Sequence, residues 1–257
     1  MIIQITNRCH MGCKHCMQDS RSNGRHMTEK TIAQVMSFVK EAKPLVVSVS
    51  GGEPTEHPLW DRVVAELLRI KDIAIVTVLT NGAWIDDKNV RLKMAKLIRE
   101  SKGRFKVQVY SHPDYYKDHE WTVEHKQQFL SIGCTPDFYS PIFMQDLGRA
   151  RKNCQEEVAE STHVPSCINS HMIALQTTSL QGFMAEAAQA GKFCRPLIDP
   201  DGNIHMSESW LCQSVAHISD GVDAAFRKMK GARPCKACRL YKNFVERHPV
   251  EMQILEK

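Results

Sequence analysis

The chain has 257 residues, a formal net charge of +5 and a mean hydropathy of −0.35. The longest apolar run, Ile73 to Leu79, is too short to span a bilayer, and no secretory signal pattern opens the sequence. These features argue against a membrane-embedded, secreted or disordered protein and predict a cytoplasmic one. In such a chain, ten cysteines indicate metal binding or catalysis rather than disulfides.

Short β-branched runs alternate with helix-like segments along most of the chain. The predicted strands are Ile2–Ile5, Leu45–Val49, Ile73–Leu79, Phe105–Tyr110, Phe138–Phe143 and Met172–Gln176. The predicted helices between them are Thr28–Lys43, with Thr28 as N-cap, and then Pro58–Ile70, Asp86–Glu100 and His119–Ile132. This alternation predicts βαβ units around a parallel sheet. A complete eight-unit barrel takes ~250 residues, so we expect an α/β fold with a partial (β/α)6 TIM-like barrel over residues 1–190.

The segment 191–257 has a different pattern. Pro196–Met206 is typical of two short strands around an Asp-Gly turn, and Val222–Met229 is helix-like. We therefore predict a small C-terminal β-hairpin/helix domain that its cysteines help to stabilise.

Three cysteines, Cys9, Cys13 and Cys16, follow the first predicted strand directly. Three thiolates on one loop can hold a [4Fe–4S] cluster with one iron left open. The alternative is a zinc loop that takes its fourth ligand from His10 or His15.

Two polar segments follow the next two predicted strands. They are Ser50-Gly51-Gly52-Glu53-Pro54-Thr55 and Thr80-Asn81-Gly82. Gly-Gly and Asn-Gly are also ordinary turn signals, so their order after the cysteine triplet is what favours a functional site. We expect the glycines to let the backbone approach a ligand closely, and Glu53 to accept a hydrogen bond from an ammonium or hydroxyl group.

This combination resembles the radical S-adenosylmethionine (SAM) enzyme superfamily. Cys9, Cys13 and Cys16 match its Cys-x3-Cys-x2-Cys motif, and Gly51–Pro54 matches its Gly-Gly-Glu-Pro segment. The resemblance covers residues 1 to about 190. It departs from the family at His15, where a Phe or Tyr is common.

The resemblance implies a cluster on Cys9, Cys13 and Cys16 whose open iron binds SAM. It also implies reductive cleavage of SAM to a 5′-deoxyadenosyl radical and an external reductant of the flavodoxin or ferredoxin type. The residues that it assigns to SAM binding are His15, Gly51, Gly52, Glu53, Pro54, Asn81, Gln108, Ser111, Ile142 and Arg149. Within this set, Glu53 and the two glycines face the ammonium, Gln108 or Ser111 the ribose, and His15 and Ile142 the adenine. Arg149 would pair with the carboxylate of SAM or belong to an exposed basic cluster.

Four further cysteines, Cys194, Cys212, Cys235 and Cys238, lie in the C-terminal segment. Four thiolates can bind structural zinc or a closed iron–sulfur cluster. Behind a radical SAM barrel, the arrangement resembles the Twitch module, a shortened SPASM domain with one auxiliary [4Fe–4S] cluster. That resemblance implies an electron acceptor for a substrate radical and favours oxidation, with isomerisation left open.

Several other residues have assignments that rest on their position alone. The candidates for proton transfer are Arg195, Asp199, Asp201 and Glu208, which lie near Cys194 and the hairpin. We expect Cys134, Cys154 and Cys167 to be inert thiols. The cations within 88–106 and 227–242 are explained by solvated helix faces or by attraction of an anionic substrate.

Four functions remain open on the sequence. The first is a radical SAM oxidoreductase or isomerase that acts on a small polar metabolite such as an aminosugar or cyclitol. The second is a radical SAM enzyme that modifies a peptide, although the chain has no room for an N-terminal peptide-recognition domain. The third is one that modifies a nucleoside or nucleic acid. The fourth belongs to another class, a non-catalytic module that binds zinc or an iron–sulfur cluster.

Overall fold

The computed structural model describes residues 1–110, 121–137, 146–156, 166–190, 195–207, 209–233 and 239–247. Its strands are β1 (Ile2–Thr6), β2 (Val46–Gly51), β3 (Ile75–Thr80), β4 (Phe105–Tyr110), β5 (Thr135–Asp137), β6 (Leu197–Ile198), β7 (Asn203–His205) and β8 (Ser214–His217). Its helices are α1 (Glu29–Ala42), α2 (Trp60–Arg69), α3 (Lys88–Glu100), α4 (Val123–Ser131), α5 (Ala150–Asn153), α6 (Ser166–Gln176), α7 (Leu180–Gln189), α8 (Val222–Gly231) and α9 (Arg239–Arg247).

The strands form one sheet in the order β5-β4-β3-β2-β1-β6-β7-β8. The first six strands in this order, from β5 through β1 to β6, run parallel to one another. Strands β7 and β8 follow next to β6, and each is antiparallel to the strand before it. The predicted α/β fold with a parallel-rich sheet is confirmed. The predicted hairpin is also confirmed, and it extends the sheet from the free side of β1. The domain boundary at residue 190 stays a prediction.

The two faces of the parallel strands differ in chemistry. The face that packs under the helices carries Ile3, Ile5, Val47, Val49, Val76, Val78, Val107 and Val109. The opposite face, which we call the inner face, carries Gln4, Ser48, Ser50, Thr77, Lys106 and Gln108. A closed barrel fills its interior with branched apolar side chains. The inner face is mixed instead, because it also carries Ile2, Val46, Ile75 and Leu79.

Helix boundaries agree closely with the sequence in the first half of the chain. Thr28 caps α1, because its side chain accepts a hydrogen bond from the backbone N–H of Thr31. The prediction of a strand at Met172–Gln176 was wrong, since these residues belong to α6. In α6, Ile168 and Ala174 are buried whereas Met172 and Leu175 are exposed, so the burial follows a helical period. A short apolar run does not distinguish the two structures by itself.

The predicted strand Phe138–Phe143 lies outside the described residues. Within the described ranges, every helix is too short or too polar to cross a lipid bilayer.

Candidate active site

Three thiols lie on the loop that follows β1. Cys9 is buried, Cys13 and Cys16 are partly exposed, and none of the three is in a disulfide. The backbone N–H of Cys9 donates to the carbonyl of Arg21 at 2.9 Å, and that of Cys16 donates to the carbonyl of Cys13 at 3.3 Å. The loop is therefore folded back on itself at the carboxyl ends of the parallel strands, where α/β folds bind ligands.

Three thiols on one loop are a ligand set that suits an iron–sulfur cluster with one open iron, and also a zinc ion. Among the described residues, no three His, Cys, Asp or Glu side chains converge on one point as the ligands of a single ion. Cysteines of a cubane cluster bind separate irons and need no such convergence. His10 pairs with Glu56 through its ring Nδ1, and His15 is buried.

The pKa of the Cys9 thiol lies well above its ordinary value. Burial raises its pKa to about 12, and the negative charges of Glu53 and Cys13 act in the same direction, against a backbone hydrogen bond from Met11. A thiol in this state stays protonated until a metal displaces its proton. We therefore expect cluster insertion to release a proton at Cys9.

Glu53 is the most enclosed acidic side chain at this edge, with 1 % of its surface exposed. Its Oε1 accepts hydrogen bonds from the hydroxyls of Thr55 at 2.7 Å and Thr80 at 2.8 Å, and its Oε2 accepts from the backbone N–H of Asn81 at 2.9 Å. Burial raises its pKa, although these hydrogen bonds act to lower it. Within the described part of the chain, no Lys, Arg or His forms an ion pair with Glu53. A buried carboxylate of this kind fits an ammonium ligand.

Asn81 connects the acidic residue to the cysteine loop. Its backbone N–H donates to Glu53, and its side-chain Nδ2 donates to the Sγ of Cys9 at 3.7 Å. The sequence predicted Asn81 at a strand end but contained no sign of contact with a cysteine.

The Gly-Gly segment packs against the chain that leads to Cys9. A Cβ atom on Gly52 would lie 2.1 Å from the carbonyl oxygen of Arg8 and 2.9 Å from the Cβ of Cys9. The backbone N–H of Gly52 donates to Thr6, and that of Glu53 donates to Arg8, both at 2.8 Å. The close approach is thus to the protein's own backbone, whereas the sequence suggested a ligand.

A Gly52→Ala substitution tests this contact. Because backbone atoms cannot rotate away from the new methyl group, the Cys9 loop has to shift. We expect this shift to lower the free energy of unfolding by about 1–3 kcal/mol. We expect the apparent Tm to fall by about 3–10 °C and iron uptake to fall with it. Gly231→Ala is the matched control, since a Cβ there meets no atom of the described residues within 4 Å. Equal melting temperatures for both variants would contradict the proposed contact.

Arg149 connects separate parts of the cysteine loop through its guanidinium group. Its Nε donates to the carbonyl of Cys13 at 2.8 Å, and its Nη1 donates to Asp19 Oδ1 at 3.0 Å and to the carbonyl of Ser20 at 2.9 Å. Gly148, at a φ of +54°, lets the chain approach this loop, since a Cβ there would lie 2.5 Å from the carbonyl of Cys16. The structure thus gives Arg149 a loop contact that neither sequence interpretation included. Pairing with the carboxylate of SAM stays a prediction for its remaining nitrogen, Nη2.

Replacing Arg149 by lysine should loosen the loop, because an ammonium group cannot reproduce a planar fork of donors. We expect a chelator to remove iron from Arg149→Lys several-fold faster than from the wild type. Arg151→Lys, two residues further along the chain in α5, is the control, because the Arg151 guanidinium bonds to Asp146 near the surface. Iron loss at the same rate from both variants would argue that the hydrogen bonds of Arg149 do not hold the cysteine loop.

Asp199 is occupied by the hairpin in which it lies. Its Oδ1 accepts from the backbone N–H groups of Asp201 and Asn203, both at 2.9 Å. Its Oδ2 accepts from Asn203 Nδ2 at 3.0 Å and pairs with His205 Nε2 at 3.1 Å. Burial acts to raise the pKa of Asp199, but these hydrogen bonds outweigh it and lower the pKa. The structure therefore gives Asp199 a structural role.

Two of the other three proton-transfer candidates lie within the described residues. Arg195 precedes β6, next to the Pro196 carbonyl that bonds to Ile2. It is buried, and its Nη1 donates to the Oγ of Ser170 at 3.2 Å. Asp201 pairs with Arg25 at the surface. Glu208 lies outside the described residues.

The loop before Cys212 is tied directly to the N-terminal cysteine loop. The Oγ of Ser209 donates to the carbonyl of Met17 at 3.2 Å, and the indole Nε1 of Trp210 donates to the carbonyl of Gln18 at 3.0 Å. These contacts cross 192 positions of sequence and carry no local signal. His205 Nδ1 reaches the carbonyl of Cys212 at 2.9 Å, which anchors the same loop to the hairpin.

Several predicted residues lie outside the described ranges. They are Ser111, Ile142, Cys194, Cys235 and Cys238. The four-cysteine site is thus represented by Cys212 alone and stays a prediction. Gln108 lies half-buried on the inner face, and Pro54 opens a short 3-10 helix beside Glu53.

The inner face contains a buried amide that has no hydrogen-bond partner among the described residues. Gln4 is fully buried, and neither its Oε1 nor its Nε2 bonds to another described residue. Leaving such a group unpaired costs about 1–3 kcal/mol.

The family model described as "Radical SAM superfamily" matches residues 3–142, which include the cysteine loop, Glu53 and Asn81. The chain belongs to the radical SAM superfamily. Among curated proteins, GTP 3′,8-cyclase of Petrotoga mobilis is 23% identical over 156 residues, covering 56% of this chain and 47% of that protein. GTP 3′,8-cyclase of Limosilactobacillus fermentum is 30% identical over 114 residues, covering 42% and 34%. The chain thus spans less than half the length of these curated relatives.

Solved radical SAM structures share the fold across nearly the whole chain. BtrN in complex with AdoMet and 2-DOIA aligns with a TM-score of 0.53 at 12% identity, covering 93% of this chain and 91% of that one. The histidine-tagged anSMEcpe with bound AdoMet aligns with a TM-score of 0.53 at 13% identity, covering 95% and 79%. At these identities the similarity concerns the fold of this radical SAM protein.

Proposed function

We propose that this radical SAM enzyme carries two [4Fe–4S] clusters and oxidises or isomerises a small polar metabolite. Cys9, Cys13 and Cys16 would hold the SAM-binding cluster, and Cys194, Cys212, Cys235 and Cys238 the auxiliary one. When bound, the reduced cluster supplies the electron that cleaves SAM and gives the 5′-deoxyadenosyl radical that removes a substrate hydrogen. A flavodoxin- or ferredoxin-type protein of the cytoplasm would deliver that electron.

The observation that carries the proposal is the buried Glu53 carboxylate beside the cysteine loop. It has four hydrogen-bond donors from Thr55, Thr80 and Asn81, but no cation among the described residues. The ammonium group of SAM supplies the missing charge. Gly51, Gly52 and Pro54 hold Glu53 against the root of the loop, and Arg149 holds the loop itself. Gln108 and His15 would line the remainder of the SAM site.

The contacts of Ser209 and Trp210 support an auxiliary cluster that works together with the first one. They fasten the loop that carries Cys212 to the residues that follow Cys16. With Cys212 as a ligand, both sites would share one rigid framework. Such a framework suits transfer of one electron from a substrate radical, which leaves a net oxidation.

An iron and sulfide count after anaerobic reconstitution tests the cluster assignment. Two cubane clusters correspond to about eight irons per chain. About four irons would remove the auxiliary cluster from the proposal. Zinc without iron would favour a non-catalytic module.

The polar side chains of Ser48, Ser50, Thr77 and Gln108 on the inner face support a small polar substrate. A nucleotide is the second candidate, since the curated relatives compared above are GTP cyclases. Deuterium transfer to 5′-deoxyadenosine separates the candidates when deuterated aminocyclitol, peptide and GTP are offered in parallel. Transfer from the peptide or GTP alone would overturn the metabolite assignment.

A further inference from the structure

We propose that Asn81 raises the reduction potential of the cluster bound by Cys9, Cys13 and Cys16. The inference rests on the proposed function, because it assumes that these cysteines hold a cluster. The observation behind it is the hydrogen bond of 3.7 Å from Asn81 Nδ2 to the Sγ of Cys9. Asn81 acts here as a positioning residue through a ligand of the cluster.

The orientation of the amide is fixed by its second hydrogen bond. Asn81 Oδ1 accepts from the backbone N–H of Ala83 at 2.8 Å. An amide turned by 180° would place NH2 against this N–H, so the flipped state is excluded. The NH2 group therefore faces the sulfur of Cys9.

The surroundings hold the Asn81 amide in place and shield it from water. Asn81 is 8 % exposed, and Cys9 is 9 % exposed. The backbone N–H of Asn81 is anchored on Glu53 Oε2, and the neighbouring Thr80 hydroxyl accepts from Gly82 N–H and Trp84 Nε1, both at 3.0 Å. The donor thus cannot turn away without breaking this network.

An N–H donor to a cysteine ligand stabilises the added negative charge of the reduced state. Hydrogen bonds to the sulfurs are among the factors that set the potentials of iron–sulfur clusters. Their effect is larger in a buried, low-dielectric setting. Removal of the donor should make the cluster harder to reduce.

Asn81→Ser provides the test, because a serine hydroxyl can still accept from Ala83 N–H but is too short to reach Cys9. The reconstituted full-length protein is titrated anaerobically without SAM, and the reduced cluster is followed by EPR. The relevant signal is the one that added SAM perturbs. We expect the equilibrium constant for one-electron reduction to fall about tenfold, a shift of about 60 mV to lower potential.

Asn81→Asp is the second variant, since it keeps the shape and the Ala83 contact but places an acceptor against the sulfur. We expect it to shift the potential at least as far in the same direction. Asn89→Ser, on the exposed start of α3, should leave the potential unchanged.

Wild-type potentials in both Asn81 variants would overturn the proposal. Loss of the cluster from both would also overturn it, because Asn81 would then hold the loop rather than tune the cluster. A wild-type protein that takes up no cluster would instead contradict the proposed function, so the two failures are distinguishable.

Discussion

Cys13→Ala should abolish formation of 5′-deoxyadenosine from SAM and lower the iron content by about four per chain. Cys13 lies in the middle of the folded loop, between Cys9 and Cys16, and its carbonyl accepts hydrogen bonds from Arg149 and Cys16. Because alanine keeps the backbone, these contacts survive and only the thiolate is lost. The loss of activity would therefore report on cluster ligation.

Cys134→Ala is the matched control for this experiment. Cys134 is buried in the hydrophobic core, and burial raises its pKa to about 12. The control should keep its iron and its ability to cleave SAM. Persistent SAM cleavage by Cys13→Ala would refute the role of the triplet.

Glu53→Gln should lower the affinity for SAM by about 10- to 100-fold, the value of a hydrogen bond to a charged group. The substitution removes the negative charge that an ammonium group would meet. Both oxygens of the Glu53 carboxylate accept hydrogen bonds from N–H and O–H groups. In the glutamine variant an NH2 group would replace one of these oxygens and face N–H or O–H donors. We therefore expect a loss of stability as well, of about 1–3 kcal/mol.

Equilibrium dialysis with labelled SAM measures the affinity, and thermal unfolding without SAM measures the stability. Glu66→Gln is the control, since Glu66 forms a surface pair with Arg62 on α2. It should change the stability by less than about 1 kcal/mol. Unchanged SAM affinity in Glu53→Gln would remove Glu53 from the binding site.

The position of the site could be predicted because it depends on local order. The cysteine triplet, Glu53 and Asn81 each follow a β-strand, and parallel strands bring their carboxyl ends to one edge. The capping of α1 by Thr28 and the Asp-Gly hairpin are likewise local features. The residue types at these positions are themselves the sequence pattern that predicts the helix cap and the turn.

The remaining features depend on contacts between distant segments. Nothing near Arg149 indicates that its guanidinium binds a loop 130 or more positions away. The same holds for Trp210 and Gln18. Asp199 was a candidate for proton transfer because it lies near Cys194 and the hairpin, and the structure shows that its oxygens accept hydrogen bonds within the hairpin. The misassigned strand at Met172–Gln176 shows that composition alone does not separate a buried helix from a strand.

The central claim is tested most directly by anaerobic incubation of the reconstituted wild-type protein with SAM and dithionite. Formation of 5′-deoxyadenosine is measured over time against protein without cluster and against samples without reductant. We predict that 5′-deoxyadenosine forms only when cluster, SAM and reductant are all present. A protein with its full iron content that leaves SAM intact would contradict the assignment of Cys9, Cys13 and Cys16.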